Sequence, residues 1–164
     1  MTELTDFQEK IAALLPDVGL KFDEPLAKHT SLRIGGGAEV MAFPKNAEEL
    51  AEILKVSVLL DGSFAILGAG TNVLAPDEGV RGLVICLKDC LEGVEPLPGN
   101  RLRVMAGVTM SRAAVVAANL GLSGLEFAHG IPGTVGGGVY MNAGAYGGEI
   151  RQVCKQVEVM NRQG

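Results

Sequence analysis

Apolar residues recur along this chain at two spacings, and each spacing predicts a different element. Thr5 precedes Phe7, Ile11, Leu14 and Leu15 at helical intervals, which predicts a helix capped by Thr5 and closed by Pro16. An acidic, irregular connection follows. The glycine triplet Gly35 to Gly37 then leads into a strand over Ala38 to Phe43. Asn46 caps a second helix with an acidic first turn and a stripe through Leu50, Ile53 and Leu54, which Asp61 and Gly62 end.

Beyond it, Phe64 to Leu67 reads as a buried strand, and Leu83 to Leu87 as the next. Two short runs, Gly93 to Pro96 and Leu102 to Ala106, flank Pro98-Gly99-Asn100 and predict a hairpin. Thr109 or Ser111 caps the apolar helix RAAVVAANL, which stops at Gly121. Pro132 opens a short helix with Thr134 to Tyr140 as its body. At the end of the chain Val153, Val157 and Val159 alternate with polar residues, which predicts a surface strand over Val153 to Met160. Short strands outnumber helices, so the fold class is α+β rather than a regular doubly wound sheet. A division near Asp61 to Phe64 is expected, with residues 1–62 as the N-terminal helix and first lobe and residues 63–164 as the second.

Composition changes this picture at one point. The chain holds 23 glycines in 164 residues, twice the usual share of ~7%. Eight of them fall among the twenty residues from His129 to Gly148, in company with small, apolar or amide side chains. A flexible linker would be polar and serine-rich. Glycine here serves positive φ or close approach of another molecule, and both leave peptide N–H groups pointing outward, where an anion such as phosphate is the natural client. A turn dense in glycine for packing alone is the alternative.

A second such place is Gly68-Ala69-Gly70-Thr71-Asn72, directly after a strand. It is a poor dinucleotide fingerprint, because the third glycine is missing and Pro76, Gly79 and Gly82 interrupt before any helix. Strand, phosphate-sized turn and strand make a different device, in which Gly68 and Gly70 bring main-chain N–H groups to a pyrophosphate while Thr71 and Asn72 add side-chain hydrogen bonds. Arg33, beside the glycine triplet, is positioned for a phosphate or is simply solvated. If these turns hold a pyrophosphate, as the family resemblance given below implies, Gly70 and Gly133 are the least replaceable positions for ligand binding, with only left-handed strain as the cost to the unliganded fold.

A net charge of −5 and 4% aromatic residues argue against a nucleic-acid surface. Three cysteines, Cys86, Cys90 and Cys154, without C-x-x-C spacing suggest neither a disulfide framework nor a zinc site, and no metal site is expected. No apolar run approaches the ~18 residues of a membrane span, and the acidic N-terminus is unlike a signal peptide, so a cytoplasmic location without membrane attachment is expected. His29 and His129 read as structural, Glu126 and Glu149 have no spacing that makes them face one another, and the six methionines read as core filler.

With these stretches in view, the chain resembles the bacterial UDP-N-acetylenolpyruvoylglucosamine reductase (MurB) family. The matching residues are His29 to Gly36, Leu67 to Leu74 with Asp77 to Gly82, Gly124-Leu125-Glu126, and Gly130 to Gly147. The combination IPGTVGG with MNAGAYG is highly specific. The resemblance implies an α+β, two-lobed FAD-binding fold of the vanillyl-alcohol-oxidase (PCMH) type with the flavin between the lobes. It implies that Leu67, Gly68, Ala69, Gly70, Thr71, Asn72 and Val73, with Ile131, Pro132, Gly133, Thr134, Gly136 and Gly137, wrap the pyrophosphate. Tyr140, Asn142, Ala143, Gly144, Ala145, Tyr146 and Gly147 would line the flavin side. Gly37, Thr71 and Gly138 stand where the family usually has Pro, Ser and Ala.

In that family a hydride passes from NADPH to FAD and on to the enolpyruvyl double bond of a UDP-sugar. The serine proton donor, and the arginine and glutamate that polarise the substrate carboxylate, lie C-terminal to the matched segments. The substrate domain is therefore expected to be absent from this chain, no catalytic residue is carried over, and turnover by the chain alone is not expected. A flavin- or nucleotide-binding module without catalysis is the alternative function, and a purely structural fragment the third.

Overall fold

The structure, a computed structural model, describes residues 4–164. They gather into two compact units, one formed by the chain through Leu87 with Val159–Gly164 and the other by Lys88–Glu158.

The first unit is built on a four-stranded sheet of β1 (Gly19–Pro25), β2 (Gly37–Phe43), β3 (Phe64–Leu67) and β4 (Val80–Cys86), in the order β1-β2-β4-β3. β1 runs antiparallel to β2, whereas β4 is parallel to both β2 and β3. Ala38, Val40, Met41 and Ala42 of β2 and Leu83, Val84, Ile85 and Cys86 of β4 are all buried, the continuous apolar run expected of central strands covered on both faces. One cluster joins Leu26, Ala38, Met41, Leu67, Ala75, Val84 and Cys86. Two helices, α1 (Asp6–Leu14) and α2 (Ala47–Leu59), begin at the caps that the sequence predicts. Thr5 and Gln8 form a reciprocal capping box, and Asn46 Oδ1 accepts the Glu49 N–H at 2.8 Å. The buried Gln8 also donates from Nε2 to the Glu39 carbonyl at 2.9 Å, tying α1 to β2.

Two expectations change here. The connection read as irregular is strand β1, whose exposed and half-buried residues alternate with period two. The expected division at 62/63 falls inside this unit, because β3 and β4 pair into the sheet that β1 and β2 begin, and the units divide after Leu87.

The second unit contains the hairpin β5 (Val94–Leu97) and β6 (Arg101–Val104), α3 (Met110–Asn119) capped by Thr109, α4 (Val135–Met141), the two-residue strands β7 (Gly144–Ala145) and β8 (Gly148–Glu149), and α5 (Ile150–Val153). Its core joins Met110, Ala114, Phe127, Ala128 and Ile150, with Leu125, Ile131, Val135, Val139 and Ala143 packed against it. The short helix begins at Val135 with Thr134 as its cap, so Pro132 lies before it and does not open it. The strand expected over Val153 to Met160 is not formed: α5 ends at Val153, and the residues after it are exposed and pair with no strand among the described residues. Alternation alone cannot hold a strand that lacks a hydrogen-bonded neighbour. Among the described residues no helix is long and apolar enough to cross a membrane.

Candidate functional site

β3 delivers the chain into its glycine turn with Leu67 buried at the strand end. Gly68, Ala69 and Thr71 are half-buried, Gly70 is buried, and Asn72 and Val73 are exposed. Gly70 takes φ +66 and packs against the loop that follows β1, where its carbonyl accepts the Ser31 N–H at 2.9 Å. The N–H groups of Gly68, Ala69 and Gly70 have no acceptor among the described residues. Three main-chain donors in succession, left open at the end of a sheet strand, fit the oxygens of a phosphate.

The loop against this turn carries further polar groups. Arg33 is exposed at φ +56 and, among the described residues, makes no ion pair. Thr30 is 6% exposed and its Oγ1 is buried without a hydrogen-bond partner. His29 Nε2 donates to Glu24 Oε1 at 2.9 Å, and Lys21 and Lys28 lie at 3.3 and 3.7 Å from the same carboxylate. The His29 hydrogen bond, followed by Lys21 and Lys28, holds the Glu24 carboxyl below its ordinary range despite an opposing effect of burial. Neither Thr30 nor the Glu24–His29 pair is signalled by sequence, since nothing in the spacing says which hydroxyl will be enclosed or which histidine will find an acid.

The second turn is organised differently. Thr109 and Thr134 form an isolated antiparallel bridge, in which Met110 N–H donates to Gly133 O at 3.0 Å and Val135 N–H to Val108 O at 2.8 Å. Gly136 N–H donates to Ala106 O at 2.9 Å and Gly137 N–H to Thr134 Oγ1 at 3.4 Å. Ile131 N–H is likewise engaged, with Ala128 O at 3.2 Å. The chain itself thus satisfies Ile131, Val135, Gly136 and Gly137, and only the Gly133 and Thr134 N–H groups remain open among the described residues. Gly133 has φ +130 and is half-buried, Pro132 is exposed, and the Thr134 side chain is buried as a cap.

After α4 the chain turns through Asn142 at φ +48, whose amide is engaged at both ends: Nδ2 donates to Glu149 Oε2 at 2.7 Å and Oδ1 accepts the Arg151 N–H at 2.9 Å. Arg151 Nε also donates to Glu149 Oε1, and these two partners, Arg151 first, hold the Glu149 carboxyl below its ordinary range. Ala143 is half-buried. Gly144 and Ala145 pair with Glu149 and Gly148, so Tyr146 and Gly147 form a two-residue hairpin turn with φ +53 and +82. Positive φ at both positions is the primed turn that matches strand twist. It presents Tyr146 at 95% exposure, and Tyr140 on the last turn of α4 is 88% exposed. Two nearly bare tyrosines offer planar surface for a ring.

The family described as FAD binding domain matches residues 38–164. UDP-N-acetylenolpyruvoylglucosamine reductase of Lactobacillus acidophilus is 44% identical over 147 residues, which are 90% of this chain and 49% of the relative. The crystal structure of UDP-N-acetylenolpyruvylglucosamine reductase (MurB) from Thermus caldophilus aligns with a TM-score of 0.58 at 34% identity, covering 80% of this chain and 44% of that one. Alkyldihydroxyacetonephosphate synthase shares the fold, with a TM-score of 0.63 at 19% identity over 92% of this chain and 33% of its own. The chain spans about half the length of the curated relatives it matches.

Proposed function

As this chain belongs to the FAD binding domain family, we propose that it is the flavin-binding portion of an NADPH-dependent reductase that converts UDP-N-acetylglucosamine enolpyruvate to UDP-N-acetylmuramate in cell-wall peptidoglycan synthesis. The observation that carries the reading is the turn after β3, where Gly68, Ala69 and Gly70 hold three N–H donors open in a chain 44% identical to such a reductase. Bound FAD supplies the hydride relay between NADPH and substrate. The chain's own residues bind and orient it.

In the first unit the pyrophosphate contacts are assigned to the N–H groups of Gly68, Ala69 and Gly70 and to the side chains of Thr71 and Asn72. Leu67 and Val73 flank the turn, and Arg33 is a further cationic contact. In the second unit Gly133 and Thr134 supply N–H donors. Ile131, Pro132, Gly136 and Gly137 shape that turn without offering free donors of their own, apart from the dipoles of the α4 start. Tyr140 and Tyr146 present ring faces to the flavin side, with Asn142, Ala143, Gly144, Ala145 and Gly147 holding the backbone that positions them. A UDP-sugar substrate and a cytoplasmic setting complete the reading.

Anaerobic addition of NADPH to the FAD-loaded protein tests the assignment. Loss of the flavin absorbance band is the expected result, and a band that persists with NADPH in excess contradicts the reductase assignment.

A further inference from the structure

We propose that Thr30 is a cofactor-binding residue whose hydroxyl donates a hydrogen bond to an anionic phosphate oxygen seated at the Gly68–Gly70 turn. The inference rests on the FAD reading given above and adds a residue to it.

Thr30 Oγ1 is buried and has no partner, in a residue only 6% exposed. A hydroxyl enclosed in this way has given up water without a replacement, a condition that native structures reserve for sites with a reason. The backbone groups beside it are not in the same position. The Thr30 carbonyl accepts the Arg33 N–H at 3.2 Å, and the Ser31 N–H donates to Gly70 O at 2.9 Å. The hydroxyl has no such partner.

Its surroundings say what it lacks. Gly70 lies against it so closely that a Cβ there would stand 3.0 Å from Thr30 Cα. The open groups of that turn, the N–H groups of Gly68, Ala69 and Gly70, are all donors. Arg33, three residues on in the same loop, is a cation that makes no ion pair among the described residues. Donors on the turn and a cation in the loop packed against it share one solution, an acceptor with several lone pairs and a negative charge, and a phosphate is that acceptor. The protein supplies Oγ1 with no partner, and a ligand oxygen that enters against the turn is the one it lacks.

Thr30→Val keeps the shape and removes the hydroxyl, whereas Thr30→Ser keeps the hydroxyl. Both are compared with the parent by unliganded melting temperature and by FAD affinity from flavin fluorescence. Thr30→Val is expected to melt at or above the parent, since an unpartnered buried group is gone, and to bind FAD about tenfold more weakly or worse, as loss of a hydrogen bond to a charged group implies. Thr30→Ser should bind within a few-fold of the parent. A Thr30→Val protein that binds FAD as tightly as the parent overturns the inference alone, and so does equal weakening in Thr30→Val and Thr30→Ser, which marks a packing role. A folded parent that binds no FAD overturns the underlying reading and the inference together.

Discussion

Gly70 packs its α-carbon so tightly against His29 that an added Cβ would stand 2.0 Å from the His29 carbonyl oxygen. That neighbour is backbone, held in place by the Ser31 N–H bond to Gly70 O, and cannot swing aside. The sequence reading assigns a Gly70 substitution only left-handed strain in the unliganded fold. The structure revises that. Gly70 is a structural requirement of the turn as well as a proposed ligand contact.

The first prediction contrasts Gly70 with Gly147. Both have positive φ, but an added Cβ at Gly147 meets nothing within 4 Å. Gly147→Ala should therefore cost only left-handed strain, about 1–2 kcal/mol. Gly70→Ala adds a backbone collision and should cost more than ~3 kcal/mol, in the range where steric and strain effects combine. Chemical denaturation of the two unliganded variants measures the difference, and equal losses would show that the His29 contact is not rigid.

The second concerns acid. Glu24 has a folded-state pKa below its ordinary 4.5, chiefly through the His29 hydrogen bond. A depressed carboxyl pKa contributes stability that is fully present above the unfolded value and is lost as pH falls through the folded one. Glu24→Gln should thus melt below the parent at pH above 4.5, and the gap should close as pH is lowered through the folded pKa. Melting curves across that range test the sign, and a gap that widens on acidification contradicts it.

The third tests the segment read as a strand. Val157 is 54% exposed and its neighbours form no ladder. Val157→Ser is expected to change stability by no more than ~0.5 kcal/mol. A loss of ~1 kcal/mol or more in the denaturation midpoint would indicate a paired strand.

What could be read from the chain follows from where the information is local. Thr5, Asn46 and Thr109 cap helices where they were expected, because a cap and the stripe behind it lie within a few residues of each other. β4 was legible from its apolar run. β1 was hidden by its acids: Leu20 and Phe22 alternate correctly, but Asp23 and Glu24 read as a loop until the pairing of Glu24 with Ala38 of β2 is seen. At the site, glycine density located both turns, yet it could not say which N–H groups the chain would consume itself. That was decided by Ala106 and Val108, whose carbonyls answer the second turn from distant positions, with Ala128 answering Ile131 locally. The same long-range packing encloses Thr30.

The central claim is that this chain holds FAD through open main-chain N–H groups with little help from side-chain charge. Titration of the folded protein with FAD, followed by flavin fluorescence at low and at high salt, tests it most directly. Because no basic cluster accompanies the Gly68–Gly70 donors, and such contacts lie close to the ligand, saturable binding with only modest loss of affinity at high salt is the predicted result. A folded sample that shows no saturable change, or one whose binding collapses as salt is raised, would contradict the account.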